Sequence, residues 1–338
     1  MSAERLARLI VIAIAVGLPI VVLIASGTAS GQAIELHGRV AETGGWTPAD
    51  LTAKVGEPIH LRLTSDDVLH GFAIGQSDRP AIDVKPGEVA ETTLVFDKPG
   101  KYTFYCTRWC GPNHWRMRGT IEVSSEQLGS DQLNSDQLSS DQSGSGQSPL
   151  YVTLGLDIDA PHPAEVVPEE TPSAERGAAL GIALPAAYRA AEYYRSHSPV
   201  EVWKALRAEP FTRDLSDRQV WDLVAFVWRS HTTPVSLAAG RQLFAENCAA
   251  CHGETGSGDG VMAESLTNPS HAGDLQQHDT KAPAKFSDAG SMLGASPALL
   301  HGKIVRGGMG TGMPYWGPIF TERQVWAIVG YLWTFQFR

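Results

Sequence analysis

The sequence predicts a multidomain protein in which an all-β Greek-key sandwich is followed by all-α units. Residues 60–64 alternate polar and apolar side chains, residues 91–96 and 101–105 are rich in strand-forming types, and turns containing Gly or Pro separate these stretches. Beyond about residue 175, apolar residues recur at helical spacing instead. The 338 residues leave room for two or three domains.

The N-terminal 30 residues predict a membrane anchor. Arg5 and Arg8 precede an apolar run from Leu9 to Ala25, which reaches the lower limit of about 17 residues for a spanning helix. We therefore expect residues 1–30 to form one transmembrane helix in contact with lipid, with the basic end in the cytoplasm. A cleaved signal peptide is the alternative. Either interpretation puts the bulk of the chain on the outer (periplasmic or extracellular) side of the cell membrane.

Four segments follow the anchor. Residues 31–124 form the predicted β domain. Residues 125–149 consist of five pentads such as SDQLN and SDQLS with almost no apolar content, and they predict a disordered linker. Residues 150–234 and 235–338 are two predicted helical units. The net charge of −10 and the lack of a basic stripe argue against nucleic acid as a partner.

The two helical units share an internal repeat. Residues 216–228 line up with residues 321–333 at an offset of 105, and both copies contain Arg-Gln-Val-Trp. Each copy opens with a capping-box pattern, Ser216 with Gln219 and Thr321 with Gln324. We interpret the first unit as a degenerate form of the second. A helical hairpin with a fortuitous likeness is the alternative.

The segment Cys106-Thr-Arg-Trp-Cys110-Gly-Pro-Asn-His114-Trp-Arg-Met117 contains two thiolates, an imidazole and a thioether. This soft ligand set suits copper. A disulfide between the two cysteines would leave His114 and Met117 without a role, and zinc sites do not use Met. A mononuclear blue-copper site uses one Cys, two His and a weak Met, so Cys106 would be surplus.

Together with His70, this segment resembles the CuA domain of cytochrome c oxidase subunit II over about residues 35–123. The resemblance implies a binuclear copper (CuA) centre. Its ligands would be the bridging thiolates of Cys106 and Cys110, the terminal imidazoles of His70 and His114, and the weak axial ligands Met117 and the backbone carbonyl of Arg108. The family usually carries an aromatic cluster through which electrons enter. Residues 42–46 retain only Trp46 of such a cluster, which puts the ordinary entry route in doubt.

A second motif, Cys248-Ala-Ala-Cys251-His252, has the C-x-x-C-H spacing of covalent haem c attachment. Residues 235–338 resemble a class I cytochrome c, in which Gly240 would allow a close crossing with the C-terminal helix near Tyr331. The resemblance implies thioether bonds from Cys248 and Cys251 to haem, with His252 as the proximal ligand. The sixth ligand would be Met313 in a Met-Pro loop, with Met309 and His301 as alternatives. The unit at 150–234 lacks the motif and is expected to be haem-less.

Copper and haem on one chain, with no catalytic residue of its own and no apparatus for reducing oxygen, predict electron transfer. The resemblance implies subunit II of a caa-type haem-copper oxidase, a non-catalytic subunit of a proton-translocating complex. Its partners would be the catalytic subunit I and an external electron donor, either a cytochrome or a blue-copper protein. The same cofactors would also serve a nitric oxide reductase or a stand-alone membrane-tethered carrier. A copper-delivery protein is disfavoured, because delivery needs no covalent haem.

Overall fold

The computed structural model of the chain describes residues 33–111, 113–125, 148–267, 282–308 and 312–338. The predicted anchor at 1–30, almost all of the predicted linker at 125–149, and Met309 lie outside these ranges. Within the described ranges, no helix is long and apolar enough to cross a bilayer.

The N-terminal part is a sandwich of two β-sheets, as predicted. Its strands are β1 Ile34–Gly38, β2 Trp46–Thr47, β3 Asp50–Lys54, β4 Ile59–Ser65, β5 His70–Ile74, β6 Ile82–Val84, β7 Val89–Leu94, β8 Gly100–Cys106 and β9 Arg118–Ser124. One sheet has the order β2-β1-β4-β7 and the other β3-β9-β8-β5-β6. The pairs β1 with β4 and β3 with β9 are parallel, and the other pairs are antiparallel. Strands far apart in sequence are therefore neighbours in both sheets, as in Greek-key folds.

The three strands predicted from the sequence are observed. Residues 60–64 lie in β4 and residues 101–105 in β8. The stretch 91–96 overlaps β7, which ends at Leu94. The ladder with β4 ends there because Leu94 pairs with Ile59, the first residue of β4. Phe96 lies beyond the strand and is buried, with its ring centroid 4.4 Å from that of Tyr102.

Apolar side chains fill the space between the two sheets. In β4, Leu61 and Leu63 are buried and alternate with side chains that remain partly exposed. Trp46, Phe72 and Phe104 form an aromatic centre with ring centroids 5.6, 5.7 and 6.4 Å apart. This packed centre lies directly beneath the ends of β5 and β8 and gives them a rigid base.

The C-terminal part is helical, as predicted. Its helices are α1 Leu150–Thr153, α2 Ala174–Ala179, α3 Ala191–Ser196, α4 Pro199–Ala208, α5 Asp217–Ser230, α6 Pro234–Asn247, α7 Ala249–His252, α8 Ala263–Thr267, α9 Ala289–Met292, α10 Pro297–Arg306 and α11 Glu322–Leu332. Both predicted capping boxes are present, at Ser216 and Gln219 before α5 and at Thr321 and Gln324 before α11. They satisfy N–H groups that would otherwise lack a partner at each helix start.

Each helical unit contains the same close crossing of two helices. An added Cβ at Gly177 of α2 would lie 2.1 Å from the carbonyl oxygen of Asp222 in α5. An added Cβ at Gly240 of α6 would lie 2.1 Å from the carbonyl oxygen of Ala327 in α11, and 2.9 Å from Cβ of Tyr331. Asp222 and Ala327 occupy equivalent positions of the internal repeat. The close crossing predicted at Gly240 is thus confirmed, and α2 and α5 cross in the same way.

The two helical units pack against each other across equivalent residues. Trp228 and Trp333, which the repeat aligns, lie with ring centroids 5.7 Å apart. The N–H of Ala174 donates to the carbonyl of Arg338 at 2.7 Å. One apolar core runs through both units without interruption. The first unit therefore covers one side of the unit that carries the C-x-x-C-H motif.

Candidate metal centres

Strand pairing brings His70 close to the segment 106–117 that contains the other predicted copper ligands. His70 opens β5 and Cys106 closes β8, and these strands pair antiparallel. Cys110, His114 and Met117 lie on the connection from β8 to β9, which contains a 3-10 turn at His114–Arg116. Cys110 is half-buried, and the other four side chains are buried.

Five of the six predicted ligands, all except His114, lie within 4 Å of another of the five. The sulfurs of Cys106 and Cys110 lie 3.9 Å apart, too far for a disulfide. Cys110 Sγ is 3.2 Å from Met117 Sδ, and Cys106 Sγ is 3.3 Å from the carbonyl oxygen of Arg108. The Cys106 sulfur is also 3.9 Å from Nδ1 of His70. One ligand atom each from His70, Cys106 and Cys110 lies within 4.8 Å of the other two.

These residues fit a soft metal ion such as copper. Sulfur supplies three of the donor atoms, and the thioether of Met117 is a ligand that copper sites use and zinc sites do not. The Nδ1 atom of His114 is buried without a hydrogen-bond partner in the part of the chain that is described. A buried imidazole nitrogen without a partner is costly, and a metal ion would satisfy it.

The two thiols are coupled by a hydrogen bond. The hydrogen bond from Cys110 lowers the pKa of the Cys106 thiol, with further lowering by His114 and His70, although burial acts in the opposite direction. The same hydrogen bond and burial raise the pKa of Cys110. One thiolate therefore forms readily at this site, and the thiolate is the form of cysteine that binds metals.

Asp67 orients the first histidine from the turn before β5. Its Oδ1 lies 2.7 Å from Nε2 of His70, so the proton is on Nε2 and Nδ1 faces the cysteine sulfurs. Burial acts to lower the pKa of His70, but its contacts with Cys106 and Asp67 outweigh burial and raise it. Asp67 also accepts the N–H groups of Val40 at 2.7 Å and Val68 at 2.6 Å.

The C-x-x-C-H motif lies at the end of α6 and on the short helix α7. His252 Nδ1 is 3.0 Å from the carbonyl oxygen of Ala284, so Nδ1 donates and Nε2 is left for a metal. Burial lowers the pKa of His252, which favours the neutral imidazole that ligates iron. Burial also raises the pKa of Cys248 to about 12 and of Cys251 to about 11. Two free thiols and an oriented imidazole in one helical turn fit a covalently attached haem.

Met313 is half-buried and packs against the same apolar core as Cys248. Its carbonyl accepts the N–H of Gly308 at 3.2 Å. His301 has other contacts: its Nε2 is 3.0 Å from Oε2 of Glu322, and its ring stacks on Trp326. Met313 thus remains the predicted sixth ligand, while Met309 lies outside the described residues.

Comparison with known families assigns both motif-bearing regions. Residues 48–124 match the model of the cytochrome c oxidase subunit II periplasmic domain, and residues 237–336 match the cytochrome c model. The chain joins a subunit II-type copper domain to a cytochrome c domain. The first family implies copper and the second implies haem c.

The curated relatives match short stretches of the chain. Two proteins named cytochrome c oxidase subunit 2 from Thermus thermophilus are each 37% identical over 79 residues, which is 23% of this chain and 58% and 46% of theirs. A nitrous-oxide reductase from Ralstonia nicotianae is 40% identical over 76 residues, which is 21% of this chain and 12% of that protein. The chain thus spans about half the length of the subunit 2 relatives that it matches.

Solved structures that match part of the chain include a chain of a haem-copper terminal oxidase dimer. The match is 24% identical and includes 36% of this chain and 100% of that chain, with a TM-score of 0.25. The periplasmic domain of subunit II of cytochrome oxidase from Bradyrhizobium japonicum is 22% identical. That match includes 28% of this chain and 84% of that chain, also with a TM-score of 0.25. Scores of this size carry no argument about this chain.

Three residues were not predicted from the sequence, of which one contacts a predicted ligand and two join the copper domain to the cytochrome c domain. Asp67 precedes His70 by three residues, and an acidic residue in the turn before a histidine ligand was the available signal. Gln76 and Arg118 of the copper domain contact the cytochrome c domain. No local pattern marks them, because their partners lie about 200 or more positions away in the sequence.

The single aromatic residue retained at 42–46 is not on the surface. Trp46 is 2% exposed and lies beneath the copper ligands, with its ring centroid 5.9 Å from that of His70. Trp109, between the two cysteines, is 42% exposed and packs edge-on against His114. An aromatic side chain of the copper domain, Trp109, is therefore exposed, but on the ligand loop itself and not at residues 42–46.

Proposed function

We propose that this chain is subunit II of a haem-copper terminal oxidase of the caa type, carrying binuclear CuA and haem c. The observation that carries the proposal is a cluster of His70, two cysteines, Met117 and the Arg108 carbonyl, with His114 buried on the same loop. The chain that holds this cluster also has a region that matches the cytochrome c family. Bound copper and haem would each supply reversible one-electron chemistry at these sites. The residues of the chain bind, orient and shield the two centres.

The positions of the two cysteine sulfurs support a binuclear rather than a mononuclear centre. Both cysteine sulfurs lie within 4 Å of a further ligand atom, so neither is surplus to the cluster. Cys106 is 3% exposed, and His70 and Met117 are fully buried. Ligands packed this tightly against a β-sandwich core move little when the charge of the centre changes. Small movement favours fast electron transfer.

An apolar surface beside the ligand loop supports docking to a catalytic subunit. Val68 and Leu69, directly before His70, are each 40% exposed, and Trp109 is 42% exposed. Aromatic and aliphatic side chains of this kind are enriched in the centres of protein interfaces. We propose that this surface contacts subunit I, and that an external cytochrome or blue-copper protein reduces the haem domain.

The predicted N-terminal helix supports a location of the chain at the cell membrane. Residues 1–30 would anchor the chain in lipid as a single span, with both metal centres on the outer side of the membrane. The proton-translocating activity would belong to the whole complex, since the described residues of this chain form no membrane-spanning bundle.

A cysteine variant separates the binuclear from the mononuclear centre. In the mononuclear alternative, Cys106→Ser leaves a complete site of Cys110, His114, His70 and Met117 that binds one copper. In the binuclear centre the same change removes a bridging ligand, and the two-copper centre is lost. We expect two copper atoms and one haem iron per unmodified chain by elemental analysis, and loss of the CuA absorption in Cys106→Ser. One copper with blue absorption in both proteins would contradict CuA.

Purification from native membranes tests the assignment to an oxidase. The tagged chain, isolated in mild detergent, should bring with it a large haem-copper subunit and show cyanide-sensitive oxygen uptake with a reduced donor. Uptake of nitric oxide instead would assign the chain to a reductase. Recovery of the chain alone, with copper and haem but no uptake, would make it a stand-alone carrier.

A further inference from the structure

The copper domain and the cytochrome c domain contact each other through the first residue of β9. Arg118 Nη1 donates a hydrogen bond to the carbonyl oxygen of Tyr315 at 3.0 Å. The guanidinium carbon also lies 5.2 Å from the ring centroid of Tyr315 and 5.3 Å from that of Trp316, which are cation–π distances. Arg118 thus makes three contacts with the loop that carries Met313.

This contact lies between the two sets of predicted ligands. Arg118 directly follows Met117 in the chain, and Tyr315 lies two residues after Met313. In the β8–β9 ladder, Arg118 is opposite Tyr105, the neighbour of Cys106, and Tyr105 itself packs against the helical core. The hydrogen bond from Arg118 to Tyr315 therefore joins the neighbour of Met117, a predicted copper ligand, to the loop that carries Met313, the predicted haem ligand.

A second set of hydrogen bonds holds the same two surfaces together. The backbone N–H of Gln76, just beyond β5, donates to the carbonyl of Ile319 at 2.9 Å. Its side-chain amide donates to the carbonyls of Gly317 and Phe320, the latter at 2.7 Å. The backbone approach is close, because an added Cβ at Gly75 would lie 2.2 Å from the carbonyl oxygen of Pro318. Both contact sets thus attach residues 315–320 to the five-stranded sheet.

A third contact between the domains is weaker. Arg323 and Asp78 form an ion pair at 2.6 Å, but their side chains are 77% and 70% exposed. Exposed pairs of this kind add little to stability. Arg118 is half-buried, and no carboxylate in the described residues forms an ion pair with it. Its position is therefore set by the Tyr315 carbonyl and the two aromatic rings.

We propose that Arg118 is a positioning residue that holds the Met313 loop against the Met117 strand, so that haem c reduces the copper centre within one docked chain. With both groups bound, one electron would leave the ferrous haem, which would become ferric, and would enter the oxidised copper centre. No bond would be made or broken and no proton would move. The inference rests on the proposed function.

The test compares Arg118→Ala with Arg116→Ala in the full holoprotein. Arg116 lies on the same loop and is exposed. Within the described residues, its side chain forms no hydrogen bond, ion pair or cation–π contact with the cytochrome c domain, so it is a matched control. Two properties are measured: the rate of copper reduction after photochemical reduction of the haem, and the amide hydrogen exchange of residues 315–320. Absorption spectra of both centres show whether the ligand sets are intact.

In Arg118→Ala we expect the rate to fall roughly tenfold, equivalent to ~1.4 kcal/mol, with faster amide exchange at 315–320 and unchanged spectra. Arg118→Lys, which keeps the charge but not the planar contact with the rings, should recover part of the rate. Arg116→Ala should match the unmodified chain. If Arg118→Ala does not fold, Gln76→Ala should show the same loosening without altering a neighbour of Met117.

The outcomes separate the inference from the proposed function. Equal rates and equal exchange in Arg118→Ala and Arg116→Ala would overturn the positioning role. A slower rate with unchanged exchange at 315–320 would also overturn it, because the loop would then be held without Arg118. If the unmodified chain shows no transfer from haem to copper at all, the proposed function fails instead.

Discussion

At the scale of single residues, the predicted copper ligand His70 depends on a neighbour that is not itself a predicted ligand. Asp67 accepts the Nε2 proton of His70 and is itself fixed by two backbone N–H groups. Partners of this kind select the tautomer and the ring orientation of a histidine ligand. The adjacent Asp66 has a different role, since it accepts from His37 and Arg39. The two neighbouring carboxylates thus offer a matched pair for mutation.

We predict that Asp67→Ala lowers copper affinity about 10- to 100-fold, because His70 loses the partner that orients it. Affinity would be measured by competition with a copper chelator. Asp66→Ala, which leaves the contact with His70 intact, should bind copper almost as the unmodified chain does. An equal loss in both variants would show that the effect comes from folding of the turn, and not from His70.

His162 connects the segment before α2 to the cytochrome c domain. Its Nδ1 is 2.9 Å from the carbonyl oxygen of Ser291 and donates to it, while Nε2 is 3.2 Å from Nζ of Lys303. Burial, and then the charge of Lys303, lower the pKa of His162 below its ordinary value of 6.5. Protonation at Nε2 would place two positive groups against each other. The neutral ring is therefore the form that suits the fold.

Because the pKa of His162 is lower in the folded state, its contribution to stability is present above about pH 6.5 and is lost as the pH falls through the lowered pKa. We predict that His162→Gln, which does not titrate, makes the free energy of unfolding of the helical region less dependent on pH between about pH 7 and 5. Denaturant unfolding followed by helical circular dichroism measures this. His60→Gln in the copper domain is the control, and an unchanged slope in His162→Gln would contradict the prediction.

At the scale of elements, the two helix pairs of the repeat cross each other in the same way, each at a glycine. Gly177 and Gly240 each let a helix approach the backbone of its partner, where a methyl group would overlap a carbonyl oxygen. Polar chemistry differs between the copies: Asp222 is buried and binds Arg176 at 2.7 Å, whereas its equivalent Ala327 is apolar. The crossing is thus shared by both units although only one unit carries a haem motif.

We predict that Gly177→Ala lowers the free energy of unfolding by about 1–3 kcal/mol, because α2 must move away from α5 to admit the methyl group. Gly290→Ala is the control. Gly290 also lies in a helix, α9, but an added Cβ there meets its nearest atom at 3.6 Å. Thermal and denaturant unfolding of the two variants would be compared. Similar losses in both would show that the close crossing is not the cause.

At the scale of the whole molecule, the helical unit that is predicted to be haem-less is part of the structure that supports the cytochrome c domain. The apolar core passes from one unit to the other through Trp228, Trp333 and Phe337, with ring centroids 5.7 to 6.0 Å apart. A continuous core favours unfolding of both units in one cooperative transition. The copper domain has a separate core and joins the helical part through hydrogen bonds at 315–320.

We predict that Trp228→Ala, in the haem-less unit, lowers the stability of the cytochrome c domain by about 3–5 kcal/mol. The measurement is denaturant unfolding followed by haem absorption, which reports on the cytochrome c domain. Phe211→Ala, which removes a 37% exposed aromatic side chain of the same unit, should have little effect on the haem signal. If Trp228→Ala leaves the haem transition unchanged, the two units unfold independently.

The sequence by itself determined the ligand types, their spacing and the elements that carry them. Alternation predicted β4, strand-forming residue types predicted β8, capping boxes predicted the starts of α5 and α11, and two short motifs predicted the copper and haem residues. These features are local, because each depends on residues within about one or two turns or one strand of each other. The end of β7 was misplaced by two residues, since the strand ends where Leu94 pairs with Ile59, the first residue of β4.

The tertiary structure decided which distant residues meet. Arg118 and Tyr315 lie 197 positions apart, and the Gln76 side chain bonds to Phe320 at a separation of 244. The meeting of Trp228 with Trp333 likewise required the packing of two helical units, although the repeat had aligned these residues. Contacts of this kind depend on how whole domains pack, so neither periodicity nor motif spacing encodes them. The sequence predicted the ligands of two metal centres, and only the fold showed that Arg118 and Gln76 join the two domains that carry them.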